Sequence, residues 1–121
     1  MVKNMKQYIP DLDADIQRIT HHYGLASQLS IAQEECAELI QAISKLERAY
    51  QMRTDCDAAC VEKTRLMRVA KEHVSEEMGD VFLMLWQLMC FFDNADDVML
   101  WLQRKVKRTL EKIAKEADHE T

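Results

Sequence analysis

Two glycines and one proline are the whole supply of strong chain-breakers in 121 residues. Average proteins devote about 12 % of their positions to these two types. Sandwiches and barrels of β-strands need a turn about every 8–12 residues and build those turns from them, so all-β folds are excluded. A few long helices with few interruptions remain. The length suits one domain over residues 1–121. Hydrophobic residues at 48 % and charged residues at 31 % give the balance of a globular chain.

Apolar spacing divides the chain into four stretches. Pro10 followed by Asp11, Asp13 and Asp15 reads as a helix start, with acids near the positive end of the dipole. That helix carries Leu12, Ile16 and Ile19 and stops at Gly24. Ser27 or Ser30 is expected to cap a second helix running to about Met52. In it Leu29, Ala32, Cys36, Leu39, Ile43, Leu46 and Tyr50 alternate steps of three and four, as a bundle seam does. The break RTDCDAA (53–59) offers Asp57 as a cap for a third helix, about Ala58 to Phe92. Val74, Val81, Leu85, Leu88 and Phe92 share one side of it. Asp93 and Asn94 are expected to cap a fourth helix, Ala95 to about Ala117, with Val98, Leu102, Val106, Leu110 and Ile113 facing inward. The expected architecture is an all-α bundle of about four helices whose apolar surface exceeds what one chain covers, so that dimerisation completes the core.

With 16 basic and 21 acidic residues the net charge is −5, which argues against nucleic acid as a partner, because phosphate affinity comes from clustered Lys and Arg. The longest uncharged run, Val81 to Phe92, has 12 residues, whereas a membrane span needs about 20. The first ten residues lack the apolar stretch of an export signal, and a cytoplasmic protein is expected. Cys36, Cys56, Cys60 and Cys90 are then expected as free thiols, with Cys36 and Cys90 as small core residues.

Against this background two acids are out of place. Glu38 is the only charge between Cys36 and Ser44, and Asp80 the only one between Met78 and Phe92. Burying an unpartnered carboxylate costs several kcal/mol, comparable with a small domain's whole margin of stability. Each has an acid three residues earlier, Glu35 and Glu77, so each pair converges on one patch of its helix. Like charges gathered in a bundle interior repel unless cations sit among them. All-carboxylate sets select hard cations, Mg²⁺ or Mn²⁺, and four carboxylates suffice for two bridged ions. Such a site suits in-line displacement at phosphorus.

The paired motifs, Glu35-x-x-Glu38 in QEECAELIQAISKL and Glu77-x-x-Asp80 in SEEMGDVFLMLWQL, resemble those of the MazG-like all-α nucleoside triphosphate pyrophosphohydrolases. The resemblance covers roughly Leu25 to Lys112. It implies Glu35, Glu38, Glu77 and Asp80 as Mg²⁺ ligands, and attack of an activated water on a nucleoside triphosphate to give the monophosphate and pyrophosphate. It also implies sites built in dimers or dimer-derived bundles, so a homodimer or homotetramer is expected. Two features depart from the family pattern. The 38 residues between Glu38 and Glu77 form a longer gap than in compact members, including an extension at 48–70, and Gly79 stands where Ala is common.

Phosphates call for cations, and Lys45, two turns beyond Glu38 on the same helix line, is one expected phosphate contact. Lys105 and Arg108 form a second, on a basic stretch that equally suits a solvated helix end. Glu34 and Glu76 are assigned the general-base role. His73, four residues before Glu77, shares the acidic face and suits a surface pair or an orienting role. His21, His22, Tyr23, Trp86 and Trp101 offer rings for a base or for packing. Cys56-x-x-x-Cys60 has no second Cys/His pair at zinc spacing. A di-iron site would need Glu-x-x-His on two helices, and only Glu116-x-x-His119 is present. The competing reading is a non-catalytic interaction module that keeps the bundle.

Overall fold

The computed structural model describes residues 9–120, with side chains from 11 to 119. The segment ahead of residue 9, on which most of the expected lack of an export signal rests, lies outside the described residues. Four helices and no strand are present among them: α1 (Ile9–Tyr23), α2 (Leu25–Tyr50), α3 (Asp57–Phe92) and α4 (Ala95–Glu120). The chain forms two compact units, one up to Phe91 and one from Phe92 onward. No described helix is long and apolar enough to cross a membrane.

The breaks fall where the breakers are. Gly24 takes φ 82, a conformation that glycine adopts without steric cost. Its N–H donates to the Thr20 carbonyl, closing α1, and its own carbonyl accepts from Gln28 N–H, opening α2. The expected serine cap of α2 does not form; the cap position is Gly24, with no side-chain hydrogen bond. At the head of α3, Asp57 is already helical, and Cys56 Sγ accepts the Ala59 N–H at 3.4 Å. Asp93 turns the chain at φ 47, a conformation aspartate tolerates, and Val98 N–H donates to the Asn94 carbonyl to start α4.

α2 and α3 form an antiparallel hairpin with a constant register. Lys63 Nζ donates to the Met52 carbonyl at 3.4 Å and lies 5.4 Å from the Tyr50 ring centre near the turn. About 20 Å further along the helices, Glu35 meets Glu77 and Asp80. The long gap between the motifs is therefore the distal half of the same hairpin. α1 packs at the opposite end: Ile16 and Thr20 are buried, and Trp86 Nε1–H donates to Asp13 Oδ1 at 2.8 Å.

The buried seam differs from the expected one. On α2 it runs through Gln28, Ala42 and Ala49, with Glu35 half-buried between them; on α3 it runs through Glu77, Met84 and Gln87. Leu29, Ile43 and Tyr50, expected inward, are exposed, as are Cys36, Leu85 and Phe92. The alanines take the inner line, and the bulky residues lie about 100° round the helix from it. On α4 the same correction applies to Val98, Leu102, Val106, Leu110 and Ile113, all of which are exposed. Cys90 is half-buried, and all four thiols are free.

Candidate functional site

Steps of seven place Gln28, Glu35 and Ala42 on one line of α2, and Ala70, Glu77 and Met84 on one line of α3. Facing each other in the hairpin, these lines bring one carboxylate oxygen each from Glu35, Glu77 and Asp80 within 4.8 Å of one another. Glu77 is only 6 % exposed. Both Glu35 Oε2 and Glu77 Oε2 are buried with no hydrogen-bond partner, so each of these two acids keeps one oxygen that faces no donor.

Electrostatics agree with the geometry. Burial raises the Glu35 carboxyl above its ordinary range, and the charges of Asp80, Glu38 and Glu77 raise it further, helped by a carboxyl–carboxyl hydrogen bond to Glu38. Glu77 is raised by burial and by Glu38, with His73 opposing and Asp80 and Glu76 adding. Four acids on two helices thus form one mutually repelling group without a compensating lysine or arginine ion pair among the described residues. Orphaned hard oxygens in a converging set are the donor arrangement that Mg²⁺ or Mn²⁺ takes, and the residues present fit such an ion.

Of the expected site residues, Glu35, Glu77 and Asp80 are brought together, and Glu38 sits at their margin, exposed yet close enough to act on both buried acids. Glu34 and Glu76 are exposed beside the cluster. Lys45 is exposed further along α2 toward the hairpin turn. Lys105 and Arg108 are exposed on α4, in the second unit. His73 Nε2 lies 3.8 Å from Glu77 Oε1.

Sequence reasoning missed two buried amides. Gln28 is 4 % exposed and Gln87 1 %, and Gln87 Oε1 has no partner. Among the described residues its amide nitrogen donates only weakly, to Met84 Sδ at 3.6 Å. A signal was available: Gln28 precedes Glu35 by seven and Gln87 follows Asp80 by seven, so both continue the acidic line toward α1.

Comparison with known proteins agrees with this arrangement of helices and acids. Residues 24–120 match the family model of the MazG nucleotide pyrophosphohydrolase domain. No curated protein and no solved structure matches the chain. The matched span contains α2, α3, α4 and all four motif acids, and covers most of the sequence. The chain belongs to the MazG nucleotide pyrophosphohydrolase domain family.

Proposed function

We propose that this protein is a Mg²⁺-dependent pyrophosphohydrolase that converts a nucleoside or deoxynucleoside triphosphate to the monophosphate and pyrophosphate. The observation that carries this reading is the convergence of Glu35, Glu77 and Asp80 within 4.8 Å, with buried oxygens of Glu35 and Glu77 lacking any donor. Glu38 completes the set as a fourth ligand at the margin. Divalent ions held there would supply charge neutralisation on the triphosphate and activation of water.

The chain's own residues have separate tasks. Glu35 and Glu77 are held by burial on facing helices, so their oxygens are aimed before substrate arrives. Exposed Glu76, or Glu34, takes the proton from the attacking water as it bonds to the α-phosphorus and the α–β bridging bond breaks. Lys45 neutralises the departing pyrophosphate, whose charge grows as that bond breaks; for Lys105 and Arg108, on the second unit, a phosphate contact rests on the family resemblance alone. The protein works as a homodimer or homotetramer. Supporting this, Leu29, Ile40 and Ile43 on α2, Met78, Phe82 and Leu85 on α3, and the stripe on α4 are all exposed in the single chain, far more apolar surface than a monomer keeps open.

A nucleotide panel with Mg²⁺, read as pyrophosphate against orthophosphate, tests the reading. Pyrophosphate release is expected from at least one nucleotide. Glu38→Gln and Asp80→Asn should each lower kcat by about 10³-fold or more with helical content intact. No turnover of any nucleotide, together with no effect of Mg²⁺ on Tm, would leave a helical interaction module in place of an enzyme.

A further inference from the structure

Cys56 and Cys60 take no part in the carboxylate site, since Cys60 lies about 25 Å before Glu77 along the axis of α3. Both thiols are free and exposed, one turn apart at the head of that helix. Cys60 N–H donates to the Cys56 carbonyl at 3.0 Å, so residue 56 already keeps the spacing of a helical turn although α3 begins at Asp57. A four-residue step on a helix sets two Cα atoms about 6.2 Å apart, and disulfides close across about 4.4–6.8 Å. The two side chains also lean toward each other along the chain. Cys56 Sγ reaches forward to accept the N–H of Ala59, the neighbour of Cys60, at 3.4 Å. Cys60 Sγ reaches back past residue 56 to donate to the Thr54 carbonyl at 3.5 Å. Thiols make weak hydrogen bonds, so a χ1 rotation releases either sulfur without moving the backbone. Cys36 and Cys90 have no second cysteine within one turn of their own helices.

We propose that Cys56 and Cys60 form a reversible redox site, a dithiol that a small-molecule disulfide converts to an intramolecular disulfide across the first turn of α3. One cysteine, as its thiolate, attacks a sulfur of the small disulfide. That S–S bond breaks, a mixed disulfide forms and one small thiol leaves. The other cysteine then attacks the protein sulfur of the mixed disulfide, closing the Cys56–Cys60 bond and releasing the second small thiol. The pair gives up two electrons and two protons, and the small disulfide takes them up as two thiols. The closing step is intramolecular, with the attacking sulfur held one turn away, and this sets the pair apart from Cys36 and Cys90. The site is independent of the carboxylate cluster and of the reaction proposed for it.

Equilibration of the full-length protein with reduced and oxidised glutathione, followed by acid quenching and mass spectrometry, tests this. Trypsin, cutting after Arg53 and Lys63, gives one peptide, 54–63, that holds both cysteines. In the oxidised protein this peptide should be two hydrogens lighter with no glutathione attached, and dithiothreitol should restore its mass. Diluting the glutathione about tenfold at a fixed ratio should raise the peptide's oxidised-to-reduced quotient about tenfold, because two small thiols leave for each disulfide closed. Cys56→Ser and Cys60→Ser should each leave one glutathione on the remaining cysteine, at a level that this dilution does not change. A wild-type peptide that carries glutathione, or that stays a dithiol even in oxidised glutathione alone, overturns the proposal. So does a disulfide that joins two chains. Mg²⁺ should raise Tm alike in the reduced and oxidised forms; failure to do so in both would count against the pyrophosphohydrolase reading and leave the redox site standing.

Discussion

Ala42 in the α2–α3 hairpin has no exposed surface and Met84 has 4 %, whereas on α4 Leu102 keeps 49 % and Leu110 61 %. Both regions repeat their apolar residues at helical spacing, and α4 is the more regularly amphipathic of the two. Yet the hairpin buries alanines, glutamines and a glutamate, and α4 buries none of its bulky apolar side chains. Periodicity reports that a helix has a face; it does not report what that face meets. Inside the hairpin, the inner line carries small residues, amides and acids in place of bulky apolar side chains. On α4, large apolar residues are exposed along one face of the helix.

Substituting one residue in each region separates the two environments. Ala42→Asp introduces a carboxylate without a partner at a position of the hairpin that has no exposed surface. The cost is several kcal/mol, enough to unfold a domain whose total stability is about 5–15 kcal/mol. Circular dichroism should show lost helix at every protein concentration. Leu102→Asp combined with Leu110→Asp should instead spare the fold of the hairpin and weaken self-association by about 100-fold or more, as read by analytical ultracentrifugation. If the α4 variant associates like the wild type, the exposed stripe is not an interface and the contrast between the regions has been misread.

Much of this arrangement was legible in the residues. The helix bounds follow from Gly24, the 53–56 break and Asp93–Asn94, so the expected starts of the last two helices are within one residue of those observed. The convergence of the acids follows from ExxE and ExxD in apolar surroundings. The identity of the inner face of α2 did not follow, because Leu29, Ile43 and Tyr50 outweigh Ala42 and Ala49 in any hydrophobic ranking. Which line goes inside is a tertiary outcome that a hydrophobic ranking along one helix does not carry. Gln28 and Gln87 were missed for a related reason: uncharged amides give no alarm in an apolar run, although their spacing from the acids marks the same line.

A smaller effect distinguishes the hairpin's interior from ordinary packing. Glu35 and Glu77 hold protons in the folded state above their ordinary 4.5, through burial first and then through neighbouring acids. The folded state therefore binds more protons than the unfolded one in the window opening at 4.5 and extending upward, and stability must fall as pH rises through it. Glu62, lowered by its exposed pair with Arg65, acts in the opposite sense but is screened by solvent. In chelator, Tm should decrease from mildly acidic to neutral pH, and millimolar Mg²⁺ should restore it most at neutral pH, where the acids are ionised and free to bind. Glu77→Gln should flatten the metal-free slope. A metal-free Tm that rises steadily through this window would show that the acids do not repel one another in the folded hairpin.

The smallest expected effect lies where α1 meets α3. Trp86 donates one hydrogen bond to Asp13 across 73 residues of sequence, in a half-buried setting. Trp86→Phe keeps most of the ring's packing and removes that donor, so the loss should be about 1 kcal/mol, below the range for a fully buried bond to a charged group. Asp13→Asn retains an acceptor oxygen and should cost less. In a double-mutant cycle the two changes should couple, since each removes part of one interaction. A result near zero for Trp86→Phe would mean that Ile16 and Thr20, the buried residues of α1, hold this helix through packing alone. That outcome would make α1 a helix held by packing rather than by a polar contact. A measurable coupling would place it with the hairpin, whose interior is organised by polar side chains.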